Sequence, residues 1–199
     1  MLEAKEEGKT KDIGVSNFGV KHLKEIEDEG LPMPGEASYL QFHYHSDDHF
    51  QTNSAAVNQI ELHPWCQQKP IVDYCNKNNV VVQAYCPLVR AERNDDPALV
   101  KIAQAVNKTP SQVLVRWSLQ RGFVPLPKSD TPSRISKSRI PSSDFLYQAQ
   151  YQMVLSSVSE TEENADIFDF ELNKEQMDTL NGLDKGAAGA CSWNPVDAA

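Results

Sequence analysis

Apolar residues along the chain follow two periods in turn. Lys11–Val15 alternates and ends in Ser16-Asn17, which predicts a first strand. Val20–Glu29 carries Val20, Leu23 and Ile26 at helical spacing, and Gly30 ends it. Ala56–Glu61 predicts a second strand, followed by the turn Leu62-His63-Pro64-Trp65. Lys69–Asn78 reads as a helix with Ile71, Val72, Tyr74 and Cys75 on its inner side. Val80–Tyr85 is a nearly continuous β-branched run, the pattern of a strand buried on both faces, and Pro87 stops it. Asp96-Pro97 and Thr109-Pro110 each place a polar N-cap before a proline at the first helical position. The helices they start run to about Asn107 and Arg121, the second with Val113, Leu114, Trp117 and Leu119 as its apolar residues. Phe123–Leu126 predicts the last strand, Lys128–Pro132 opens a further helix, and Lys174–Leu183 closes the ordered part.

Two stretches keep neither period: Leu31–Ser54, with Pro32, Pro34 and Gly35, and Ser136–Glu160. Loops of that length are uncommon inside compact domains. The remainder alternates strand and helix, which predicts a parallel α/β fold. No G-x-G-x-x-G opens a helix, so the dinucleotide-binding Rossmann fingerprint is absent. The other common architecture is the (β/α)8 TIM barrel of roughly 250 residues. Outside the irregular stretches about 150 residues and four strands remain, at 30 or more residues per βαβ unit. The expectation is a partial barrel with two unpaired strand edges, a shape that invites edge-mediated self-association.

A net charge of -9 and a pI near 5.0 argue against a nucleic-acid partner, which needs a basic face. No apolar run approaches the roughly 20 residues of a membrane helix. The N-terminus carries no apolar signal core. A cytoplasmic protein is expected, with Cys66, Cys75, Cys86 and Cys191 as reduced thiols, since they form no C-x-x-C pair and no zinc-like spacing.

The strand ends carry the chemistry. Ser16 and Asn17 follow the first strand, Gln59 lies on the second, Tyr85 and Cys86 end the third, and Lys128 and Ser129 follow the fourth. In a barrel such ends meet on one rim. Ser, Asn and Gln side chains hydrogen-bond a carboxamide, a tyrosine stacks on a flat ring, and Lys128 with Arg134 suits a phosphate. Together they suit a phosphorylated nicotinamide dinucleotide.

The runs GKTKDIGVSNF, AVNQIELHPWCQQ, VVVQAYCPLVR, NKTPSQVLVRWSLQRGFVPLPKSDTPSRI and ENADIFDFEL closely resemble the aldo-keto reductase family. The resemblance implies strands five to eight of a (β/α)8 barrel with their helices, the C-terminal half only. It implies NADPH-dependent reduction of aldehydes and ketones to alcohols, with NADP(H) as cofactor and a small carbonyl substrate. It assigns Ser16, Asn17 and Gln59 to the carboxamide, and Tyr85 to stacking on the nicotinamide ring. Cys86 and Leu88 fall beside the pyrophosphate, with Cys86 where the family usually has serine. Lys128, Ser129 and Arg134 fall at the 2′-phosphate, and Glu163 and Asn164 on the adenine side.

The family's catalytic Asp, Tyr, Lys and His precede the GVSNF motif, so no catalytic residue is expected here. Against the family, residues 1–199 read as a single partial domain interrupted by insertions at about 35–55 and 136–161. Translated introns or gene-model errors would account for these insertions. Two rival readings follow: a catalytically inactive nucleotide-binding fragment, and a non-functional product of a mis-spliced gene.

Other side chains invite sharper readings. His43, His45, Asp47, Asp48 and His49 resemble a metal cluster but read as an incidental run in a solvated loop, and no metal is expected. His63 reads as structural, Trp117 as core, and Trp65 as core or rim packing. Trp193 stays open between pocket wall and flexible tail.

Overall fold

The computed structural model describes residues 1–10, 12–28, 55–128, 167–191 and 193–197. A short helix α1 (Leu2–Glu6) precedes strand β1 (Ile13–Ser16) and helix α2 (Val20–Asp28). Strand β2 (Ala55–Glu61), helix α3 (Lys69–Lys77) and strand β3 (Val81–Tyr85) follow. Helices α4 (Pro97–Ala105) and α5 (Pro110–Gln120) lead to strand β4 (Val124–Leu126), and α6 is Lys174–Asn181. The four strands form a sheet in chain order, β1-β2-β3-β4. β1 and β2 are parallel, with Ser16 opposite Gln59 and Val15 opposite Asn58. This is an α/β fold with a parallel sheet, as the alternation predicts.

The helix starts follow their local chemistry. Asp96 accepts from Ala98 N at 2.9 Å and Leu99 N at 3.3 Å, so its carboxylate satisfies two orphan donors of α4. Thr109 and Gln112 form a reciprocal capping box at the start of α5. Asn173 and Gln176 form another at α6.

Two expectations about burial need correction. β3 is not covered on both faces: Val82 and Ala84 are buried, whereas Val81, Gln83 and Tyr85 remain half-buried. Successive side chains point to opposite faces, and β-branched composition reports strand preference rather than cover. On α3, Ile71, Val72 and Cys75 are buried, but Tyr74 is not. Its hydroxyl donates to Glu27 Oε2 at 2.7 Å, as befits a ring with one polar end. The helix predicted from Lys128–Pro132 and the His43–His49 run lie outside the described residues.

The chain divides into two compact units. One comprises Met1–Ile60, Gln68–Gln83 and Asn194–Ala199. Its buried residues include Leu23, Ile60, Ile71, Val72, Cys75, Val80 and Val82, and α2 packs on α3. The other comprises Glu61–Gln67 and Ala84–Trp193. There α4 packs on α5 and α6, around Leu99, Ile102, Leu114, Trp117 and Leu180. Trp117 is fully buried, and its indole N–H donates to Asn181 Oδ1 at 2.9 Å. Trp65 is also buried, whereas Trp193 is exposed. No described helix is long and apolar enough to cross a membrane.

Gly14 is required by the β1–β2 approach. A Cβ there would lie 2.9 Å from the Val57 carbonyl oxygen and 3.1 Å from Val57 Cβ. Gly14→Ala is therefore expected to destabilise the chain by about 1–3 kcal/mol, the usual cost of overpacking. A urea unfolding midpoint unchanged from wild type would contradict this.

The buried thiols set a pH dependence. Burial pushes Cys66 up to about 12, helped by the charges of Glu61 and Asp184. Burial pushes Cys75 up to about 11, against the pull of a hydrogen bond from Asn58. An unfolded thiol titrates near about 8.5. Because the folded values are higher, the contribution to stability is complete below the unfolded value. It is lost as pH rises toward the folded one, by up to about 1.4 kcal/mol per pH unit per thiol. Unfolding measured at pH 8 and pH 10 is expected to show this decline, and Cys75→Ala is expected to make it shallower.

Candidate functional site

The end of β1 gathers the first set of polar groups. The parallel register brings Ser16 level with Gln59. Ser16 Oγ and the Asn17 backbone N–H both donate to the Gln59 carbonyl, at 3.1 and 2.8 Å. Asn17 Nδ2 donates to Ser16 Oγ at 3.3 Å, and Gln59 Nε2 donates to Gln83 Oε1 at 3.0 Å. Asn17 has φ 60°, a left-handed conformation that asparagine tolerates better than most residues. Its side-chain oxygen Oδ1 is buried and has no hydrogen-bond partner among the described residues. A buried acceptor left unmade costs about 1–3 kcal/mol, and an incoming N–H would remove that cost. Asn58, one residue before Gln59, holds the loop: it donates to the Phe18 carbonyl at 2.9 Å and accepts from Phe18 N at 3.4 Å.

Within the second unit, Tyr85 ends β3 half-buried, and its carbonyl accepts from Leu62 N at 3.3 Å. Burial, with the charge of Glu61 next in weight, pushes its phenol up to about 12. The ring therefore stays neutral across the ordinary pH range. Cys86 has φ 53°, and Val89, Arg90 and Ala91 have φ of 50°, 51° and 64°. A left-handed turn costs roughly 1–2 kcal/mol per non-glycine residue, and such strain concentrates at functional segments. Leu88 packs against the buried Val115 and Ile167. Lys128 lies just past β4 and is exposed. Ser129, Arg134, Glu163 and Asn164 lie outside the described residues.

One cluster was not foreseen from the sequence. Glu61 and His63 are both buried, with Glu61 Oε1 3.1 Å from His63 Nε2. Cys191 Sγ lies 3.7 Å from the same nitrogen, and the Cys191 backbone N–H donates to Glu61 Oε1. His63 also exchanges backbone hydrogen bonds with Cys66, which supports its reading as a structural turn residue. Its side chain does more. The i, i+2 spacing of Glu61 and His63 was the visible signal, but Cys191 is 130 residues away from Glu61. Hydrogen bonding to His63 and to Cys191 holds the Glu61 carboxyl below the usual range, against the effect of its burial.

The chain as a whole is similar to known proteins. The profile of the Aldo/keto reductase family matches residues 1–185, bounds that take in both irregular stretches. An uncharacterized oxidoreductase of Schizosaccharomyces pombe is 37% identical over 190 residues, covering 96% of this chain and 52% of that protein. A glyoxal reductase of Bacillus subtilis is 34% identical over 179 residues, 90% of this chain and 48% of that one. The chain thus spans about half the length of the curated relatives it matches. Among solved structures, a mutant of Gox0644 in complex with NADPH superposes with a TM-score of 0.67 at 28% identity, covering 100% of this chain and 55% of that one.

Proposed function

Because this chain belongs to the Aldo/keto reductase family, we propose that it is an NADP-dependent oxidoreductase segment that holds the nucleotide used to reduce aldehydes or ketones to alcohols. One atom carries the reading: Asn17 Oδ1 at the end of β1, buried and without a hydrogen-bond partner among the described residues. A carboxamide offers an N–H to that acceptor and a carbonyl to a donor. Among the described residues Gln59 Nε2 and Asn17 Nδ2 each make one hydrogen bond, which leaves each a second N–H for that carbonyl. The residues at β1 therefore fit the nicotinamide carboxamide. When bound, the nucleotide supplies a hydride.

The other roles rest on the family resemblance. Tyr85 presents a neutral ring face for stacking. Cys86 and Leu88 stand at the pyrophosphate, beside the left-handed residues Val89, Arg90 and Ala91. Lys128, Ser129 and Arg134 hold the 2′-phosphate, which favours NADPH over NADH. Glu163 and Asn164 contact the adenine side. Residues 1–199 correspond to strands five to eight of a barrel, with insertions at about 35–55 and 136–161.

One observation favours a second reading, nucleotide binding without turnover. Three groups in this region, Tyr85, Cys66 and Cys191, hold their protons well past neutrality, each pushed up to about 12 by burial.

Quenching of intrinsic fluorescence by NADPH tests the proposal. Saturable binding is expected, tighter for NADPH than for NADH. Asn17→Gly, which suits the left-handed backbone and removes only the amide, is expected to weaken it about tenfold, the worth of one to two hydrogen bonds. Absence of saturable binding, or identical affinity in Asn17→Gly, would refute the assignment.

A further inference from the structure

We propose that Glu61, His63 and Cys191 form a site for one zinc-class divalent cation, with a fourth position open to water or a small ligand. Strand alternation puts Glu61 and His63 on one side of the end of β2. Cys191 arrives from the 3-10 turn Gly186–Gly189. The three ligand atoms all lie within 4.8 Å of one another. Tetrahedral zinc, with bonds of about 2.0–2.1 Å to nitrogen, 2.0–2.2 Å to oxygen and 2.3 Å to sulfur, requires N···O and N···S edges of about 3.4 and 3.5 Å. The observed edges are 3.1 and 3.7 Å, so shifts of a few tenths of an ångström close the site.

The convergence distinguishes a chelate from a thiol nucleophile. In a Cys–His–carboxylate triad the acid orients the ring through one nitrogen while the thiol uses the other. Here the carboxylate and the thiol both address Nε2, and the buried Nδ1 has no hydrogen-bond partner among the described residues. The Cys191 thiol also hydrogen-bonds the Glu61 carboxylate, so all three donor atoms turn toward one point, which a single cation can occupy. The mixed oxygen, nitrogen and sulfur donors select zinc or cobalt over magnesium or calcium, which take oxygen ligands. The site does not depend on nucleotide binding.

Cobalt titration of the metal-free full-length chain tests this. A thiolate-to-cobalt charge-transfer band is expected, saturating at one metal per chain and abolished by added zinc. Cys191→Ser, a half-buried position, is expected to lose the band while keeping the wild-type circular dichroism spectrum. Cys86→Ser is expected to keep the band. Three outcomes would each overturn the proposal: no charge-transfer band in the folded chain, a band that survives in Cys191→Ser, or cobalt bound without thiolate character.

Discussion

Incubated with NADPH and a small aldehyde, the 199-residue chain is expected to oxidise the nucleotide no faster than a protein-free control. Reduction of a carbonyl needs a proton on its oxygen as well as a hydride on its carbon. A positioned general acid is typically worth 10²–10⁴-fold, and it works best with a pKa near the operating pH. Burial takes Tyr85 and two of the thiols that act on it the wrong way. The phenol itself and the thiols of Cys66 and Cys191 are pushed up to about 12. His63 is 1% exposed and engaged with Glu61. Following NADPH absorbance with several short aldehydes decides the matter. Turnover above control that disappears in Tyr85→Phe would make Tyr85 the proton donor and overturn its assignment as a stacking ring. Binding without turnover would match the nucleotide-holding reading.

Gly189→Ala is expected to lower stability by about 3 kcal/mol or more, the upper end of what overpacking costs. A Cβ at this position would lie 1.7 Å from the Trp65 carbonyl oxygen and 2.5 Å from its carbonyl carbon. Both obstacles are backbone, so no rotamer change relieves them. The Trp65 carbonyl is already fixed, because it accepts from Lys185 N at 2.9 Å. The Trp65 side chain is buried as well. The turn carrying Gly189 therefore has to move, and Cys191 moves with it. Ala188→Ser, an exposed neighbour, serves as control and should stay within about 0.5 kcal/mol of wild type. Equal urea midpoints for Gly189→Ala and the control would contradict the close approach.

Much of the fold was legible because it is local. Asp96-Pro97 and Thr109-Pro110 announce α4 and α5 by chemistry confined to three or four residues, and the caps form as read. Ser16 and Asn17 were legible as a strand end because an alternating run stops there. What failed was cover. Val80–Tyr85 reads as buried on both faces, yet only Val82 and Ala84 are fully enclosed on β3. Tyr74 falls among inner-face residues by spacing, and Glu27 draws its hydroxyl outward.

The sequence by itself determined the alternation of strands and helices, the caps, and the residue types at the strand ends. Each of these depends on neighbours within a turn or a pleat. The tertiary structure alone decided which of those groups meet. The register of β1 against β2 aligns Ser16 with Gln59, and Asn17 Oδ1 is left buried without a partner among the described residues. The close approach of Gly189 to Trp65 brings Cys191 onto Glu61 and His63. Contacts across such separations depend on packing and pairing between elements, and no local period records them.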